Sequence, residues 1–163
     1  MKHVLSILLQ NESGALARVA SMFSTRGFNI EALSVAPTDD ERVSRLTLVT
    51  IGTEDVISQV TKQLAKLIDV VAIADRTGTH HIARELGLLK FAVSADAAEA
   101  FSTLVENYGA RVLDDDPDHF TIEVTGNERQ VESFLEAVPE GVAVLSVVRS
   151  GPLVISKGPQ ALL

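Results

Sequence analysis

The sequence has no cysteine and no tryptophan, and only one tyrosine among its 163 residues. Without a thiol there is no disulfide framework, no thiolate nucleophile and no cysteine-based metal site, which fits a reducing compartment. Positive charge is scarce too: 14 Lys and Arg stand against 22 Asp and Glu, a formal net charge of -8 at pH 7. Proteins that neutralise phosphates need a basic face to release counterions, so nucleic acid and anionic membrane are disfavoured as partners. Phe91, Phe101 and Phe120 lie outside any aromatic-basic motif, which speaks against base stacking. No apolar run approaches bilayer-spanning length. The first such run, Val4 to Leu9, is interrupted by Gln10, Asn11 and Glu12, too early for a secretory h-region. The expected location is the cytoplasm. What the chain does hold is a hydrophobic share of 46%, enough for an ordinary globular core.

Hydrophobic periodicity orders that material. Val4 to Leu9 has the continuous apolar pattern of a strand buried on both faces. Leu16, Val19, Ala20 and Phe23 recur at helical spacing, with Ser13 placed to cap the helix and Gly27 to end it. Phe28 to Val35 and Arg45 to Ile51 read as a hairpin around Pro37-Thr38-Asp39-Asp40. Thr53 can cap a second helix whose apolar positions are Val56, Val60, Leu64 and Leu67, and Val70 to Ile73 supplies a strand. The order is βαββαβ.

The same order then repeats. Leu86 to Val93 is a strand, Ala97 to Tyr108 a helix ended by Gly109, and Arg111 to Leu113 with Phe120 to Thr125 a second hairpin. Val131, Phe134, Leu135 and Val138 mark a fourth helix and Val142 to Val148 a last strand. The expected fold is therefore α+β, two tandem ferredoxin-like βαββαβ domains. The boundaries are 1–76 for the first, 77–84 for a linker where periodicity lapses at Thr77-Gly78-Thr79-His80-His81, and 85–163 for the second with a C-terminal tail. Helices on one face of each sheet leave the other needing cover, so a dimer is expected.

Catalytic chemistry finds little footing. No nucleophile with a base and no convergent pair of carboxylates is evident, so no catalytic residue is assigned. Among His3, His80, His81 and His119, the adjacent His80 and His81 lack the i, i+4 spacing of a helical metal site and read as linker. Asp114, Asp115, Asp116 and Asp118 lack an EF-hand's Gly and terminal Glu and read as a solvated hairpin tip, so no metal is expected. Gly151-Pro152 and Gly158-Pro159 punctuate the tail and precede no helix that would make a phosphate cradle.

The loop between the first strand and the first helix remains. Gly14 lacks a Cβ, so a ligand can approach the backbone, and free N–H groups at a helix start attract a carboxylate. The amides of Asn11 and Asn29 both donate and accept, suiting a zwitterion. Spacing alone favours the plainer reading, in which Asn11 and Ser13 form the turn and cap while Gly14 relieves strain.

Longer motifs change that balance. The segment Leu8-Leu9-Gln10-Asn11-Glu12-Ser13-Gly14-Ala15-Leu16, then Phe23 to Glu31, Ser34 to Asp40, Ser44 to Thr47, Gln63 to Val70 and Arg84 to Lys90 resemble the small regulatory subunit of acetolactate (acetohydroxyacid) synthase. The resemblance implies an ACT domain at the N-terminus that pairs as a homodimer and binds an amino acid, usually valine, at the interface. It implies a non-catalytic subunit that activates a large catalytic subunit and confers feedback inhibition in branched-chain amino-acid synthesis. Thiamine diphosphate, Mg and FAD would belong to that catalytic subunit, and none to this chain. Carried over by position, Asn11, Gly14, Ala15 and Leu16 match the ligand loop, and Asn29 and Ile30 match the strand facing it across the dimer. From Phe91 onward few signature residues match, and Gly87 interrupts a strand where a side chain normally packs. A free-standing double-ACT sensor, or a small enzyme with an unconventional site, are the alternatives.

Overall fold

The computed structural model describes residues 1–78, 81–116 and 119–159. Two compact units emerge, Met1–Ile82 together with the segment that starts at Leu153, and Ala83–Pro152. Each holds four antiparallel strands and two helices in βαββαβ order, the second sheet gaining a fifth strand from the tail, so the chain is two tandem ferredoxin-like domains.

In the first unit the elements are β1 (Lys2–Gln10), α1 (Ala15–Thr25), β2 (Ile30–Pro37), β3 (Val43–Ile51), α2 (Glu54–Leu64) and β4 (Val70–Asp75). The sheet order is β2-β3-β1-β4. Leu5, Ile7 and Leu9 of β1 alternate toward the helices, as do Leu46 and Leu48 of β3. They meet an apolar stripe of Ala15, Val19 and Phe23 on α1, one residue every fourth position. Fully burying each large side chain of this kind contributes about 1.5–3 kcal/mol. On α2 the fully buried residues are Ile57, Val60 and Leu64; Val56, and Leu67 beyond the helix end, pack against the same core partly buried, so Ile57 joins the face that the sequence pattern marked. The opposite face of β1 and β3 is buried as well, at Ser6, Leu8, Thr47 and Val49.

The helix ends follow local chemistry. Gly27, at φ 71°, lets Phe28 N–H reach the Phe23 carbonyl and Gly27 N–H reach that of Ser24, the double bond that closes a helix on a left-handed residue. Thr53 caps α2 by accepting from Val56 N–H. Ser13 does not cap α1. Gly14 holds that position at φ 86° with no side-chain bond, because the left-handed backbone there already turns the chain into the helix.

The second unit comprises β5 (His81–Val93), α3 (Ala98–Asn107), β6 (Arg111–Asp116), β7 (His119–Gly126), α4 (Glu128–Glu136) and β8 (Val142–Arg149), in sheet order β6-β7-β5-β8. Phe91, Phe101 and Phe134 centre its core, with rings 5.1 and 6.2 Å from Phe91. Gly87 continues β5 without interrupting it: a methyl there would meet Val131 of α4 at 3.5 Å, an ordinary van der Waals contact, and nothing in the packing requires glycine at this position.

Three boundary expectations change. Residues 81–84, read as linker, are the start of β5, whose alternation of buried and exposed positions runs on from there. The tail forms a further strand, β9 (Leu153–Ser156), which pairs with β5 and belongs to the first unit, with Val154 buried. Asp114, Asp115 and Asp116 lie in β6 and not at a tip, because their backbone pairs with β7 while the side chains stay exposed. Thr79, His80, Pro117 and Asp118 fall outside the described residues.

Candidate functional site

The start of α1 is built from three directions. Asn11 donates its backbone N–H to Arg42 O at 2.8 Å and its side-chain amide to Glu41 O at 2.9 Å, strapping the β1–α1 loop to the turn of the β2–β3 hairpin. That turn is set by Asp40, which accepts from the Arg42 guanidinium at 2.8 and 2.9 Å. The Arg42 side chain and backbone hold the Asp40 carboxyl down to about 2. Beyond the strap, Ala15 N–H turns back to Glu12 O at 3.2 Å, and the first helical bond is Arg18 N–H to Gly14 O at 3.0 Å. The N–H groups of the first turn therefore lead the helix toward this loop, with the positive end of its dipole.

Beneath the loop sits an ion pair. Arg18 donates to Asp69 at 2.5 Å through Nε and 2.7 Å through Nη2, and Asp69 is only 3% exposed. Asp69 O also accepts from Gln10 N–H at 2.7 Å, so the same residue anchors the helix and the strand end. The hydrogen bonds from Arg18 lower the Asp69 carboxyl below its usual range, against the opposing effect of burial. A carboxyl lowered on folding stabilises the fold above its unfolded value near 4, and that contribution fades as pH falls through the lower folded value. Asp69→Asn is therefore expected to lower the melting temperature at pH 7 while flattening its decline below about pH 4. Thermal melts of both proteins from pH 2 to 8 check this; parallel curves would refute it.

A small cleft of about 230 Å³ opens here, bounded by Gln10, Asn11, Glu12, Ala15 and Leu16 and by Val35 to Pro37 of β2. Of the six residues singled out in the sequence, Asn11, Ala15 and Leu16 line it and Gly14 opens the helix beside it. The Ala15 side chain is buried, so it presents backbone, whereas Leu16 is part-exposed. Asn29 and Ile30 do not line the cleft within one chain. Asn29 donates its amide to Glu31 at 2.7 Å, and Ile30 packs against the helix-side core. A larger cavity of about 570 Å³, between β2–β3 residues such as Arg45 and Thr47 and Leu153 to Ile155 of β9, contains none of the six.

Sequence reasoning missed Arg18 and Asp69, which lie 51 positions apart and share no local pattern. His3, by contrast, is buried at the far end of β1, its Nδ1 3.3 Å from Thr77 Oγ1. Among the described residues no cluster of potential metal ligands occurs, and no helix is long and apolar enough to cross a membrane.

Comparisons with known proteins agree with this layout. A family model described as AHAS small subunit-like ACT domain matches residues 5–72, and one described as small subunit of acetolactate synthase matches residues 84–158. The acetolactate synthase small subunit of Haemophilus influenzae is 39% identical over 163 residues, covering 100% of both chains. The isozyme 3 small subunit of Escherichia coli is 39% identical over 158 residues, with 97% of each chain covered. Among solved structures, the acetolactate synthase small subunit of Thermotoga maritima superimposes with a TM-score of 0.87 at 30% identity, covering 98% of this chain and 99% of that one. Two matched domains, full-length relatives and a shared fold lead to one conclusion: this chain belongs to the family of acetolactate synthase small subunits, the regulatory partners of that enzyme's catalytic subunit.

Proposed function

We propose that this chain senses valine, and through it controls a thiamine-diphosphate-dependent catalytic subunit in branched-chain amino-acid synthesis. The observation that carries the reading is the cleft at the start of α1, where Asn11 and Leu16 flank a helix opened by Gly14 at φ 86°. Of the backbone N–H groups from Gly14 to Leu16, those of Gly14 and Leu16 bind the effector's carboxylate, since the Ala15 N–H is spent on Glu12. Asn11 still offers its side-chain oxygen to an ammonium group, since the amide nitrogen is spent on Glu41. Asn29 and Ile30 come from the second chain of a homodimer, which is why they stand apart from the cleft in one copy. Leu16 and Ile30 limit side-chain size; walls of this kind discriminate by about 1–3 kcal/mol per methylene, so leucine and isoleucine bind more weakly than valine without being excluded.

Catalysis stays with the large subunit, together with thiamine diphosphate, Mg and FAD, in the cytoplasm. Binding of this chain raises that subunit's activity, and valine reverses the increase because it binds the two states of the complex with different affinity. Mixing the purified chain with its catalytic subunit is expected to raise turnover severalfold and to make it valine-sensitive. No effect on the synthase, with valine binding retained, would point instead to a free-standing sensor.

A further inference from the structure

In the order β6-β7-β5-β8, β8 is an outer strand of the second sheet. From Val142 to Val148 it carries no charged residue. Val144, Leu145, Val147 and Val148 are 46%, 50%, 43% and 58% exposed. Val147 pairs with Leu89, which points into the core, and Val148 with Leu88, which points away, so the exposure lies on both faces of the strand. An outer strand presents unpaired N–H and C=O groups, and proteins ordinarily blunt it with lysine or proline. Neither residue is present in β8.

We infer that β8 pairs antiparallel with β8 of a second copy of this chain, continuing the second sheet across a two-fold axis. Charge selects this occupant. Copies of a chain with net charge -8 repel one another except through a neutral surface. The other outer strand, β6, exposes Asp114, Asp115 and Asp116 and so repels its own copy. β8 meets its copy with only apolar side chains and Ser146, so no unpaired charge is buried. Antiparallel pairing also carries Arg149, at the end of one strand, toward the start of the other, where exposed Glu140 stands. The two-fold axis makes that contact twice. Parallel pairing would set Arg149 against Arg149 and Glu140 against Glu140. Arg149 is already oriented by Glu85 and lies 3.9 Å from Glu132. This pairing is independent of the effector cleft.

The absence of native cysteine makes the test direct. Single cysteines are placed in the full chain as Val142→Cys, Val144→Cys, Leu145→Cys, Ser146→Cys and Val148→Cys, and mild oxidation is followed on non-reducing gels. Only a residue next to the axis faces its own copy, with Cβ atoms about 4.5–5.5 Å apart. A residue three positions away lies about 20 Å from its copy, beyond disulfide reach. Cross-linking is expected to peak at one mid-strand position, at least tenfold above Val142→Cys and Val148→Cys. Adding Leu145→Lys to a cross-linking neighbour is expected to cut the yield at least tenfold, with the circular dichroism spectrum unchanged. Uniform cross-linking along the strand, or none at any position, overturns the proposal. So does a Leu145→Lys chain that loses binding to the catalytic subunit while its cross-linking is unaltered, since the edge then belongs to that partner.

Discussion

Gly14→Asp is expected to weaken valine binding by at least about a hundredfold, equivalent to roughly 2.8 kcal/mol. Three effects act together. At φ 86° a residue with a Cβ is strained. That Cβ would stand 3.0 Å from Arg18 Nη1, so the guanidinium must move or be drawn toward the new carboxylate. The new carboxylate also occupies the anion position at the helix start that the effector's own carboxylate would use. Gly14→Ala separates these effects, because it keeps the strain and the contact with Arg18 and omits the charge; it should lose clearly less affinity. Isothermal calorimetry on the three proteins, with circular dichroism to verify folding, measures both differences. Equal valine affinity in the wild type and Gly14→Asp would remove the effector from this cleft.

The reason that prediction can be made from Gly14, and could not have been made from Arg18, lies in the range of the forces involved. Alternation and four-residue spacing are local, so β1, the two helices of each unit and the hairpins were legible in the sequence. The stops at Gly27 and Gly109 and the cap at Thr53 were equally local. Ser13 misled because a serine before a helix is ordinarily its cap, yet a left-handed glycine one position later took over the turn. The Arg18–Asp69 pair joins an exposed helix residue to the loop before β4, and no periodicity links two such positions. The tail strand was hidden for a related reason: Leu153 to Ser156 is too short to read as a strand until its partner is known. For the six site residues, the motif identified the loop, while the geometry divides them into a group at the cleft and a pair, Asn29 and Ile30, away from it.

Phe91→Ala carries the largest expected stability effect and tests that division of labour between the two units. Phe91 is fully buried in β5, and its ring lies 5.1 Å from Phe101 and 6.2 Å from Phe134. Phe101 in turn lies 5.5 Å from Phe120, so removing the central ring disturbs α3, α4 and β7 together. Replacing a buried phenylalanine with alanine costs about 3–5 kcal/mol, which is comparable with much of a typical domain's 5–15 kcal/mol. The two cores share no residue: Leu5, Val19 and Leu48 pack in the first, Phe91, Phe101 and Phe134 in the second. Hydrogen exchange read by mass spectrometry is therefore expected to show protection collapsing in 84–149 of the variant while β1, β3 and α1 stay protected. Valine affinity should remain within about twofold of the wild type, because every residue at the cleft lies in the first unit. Loss of valine binding together with the second core would mean that sensing is not confined to the first unit, and that the two domains hold the effector jointly.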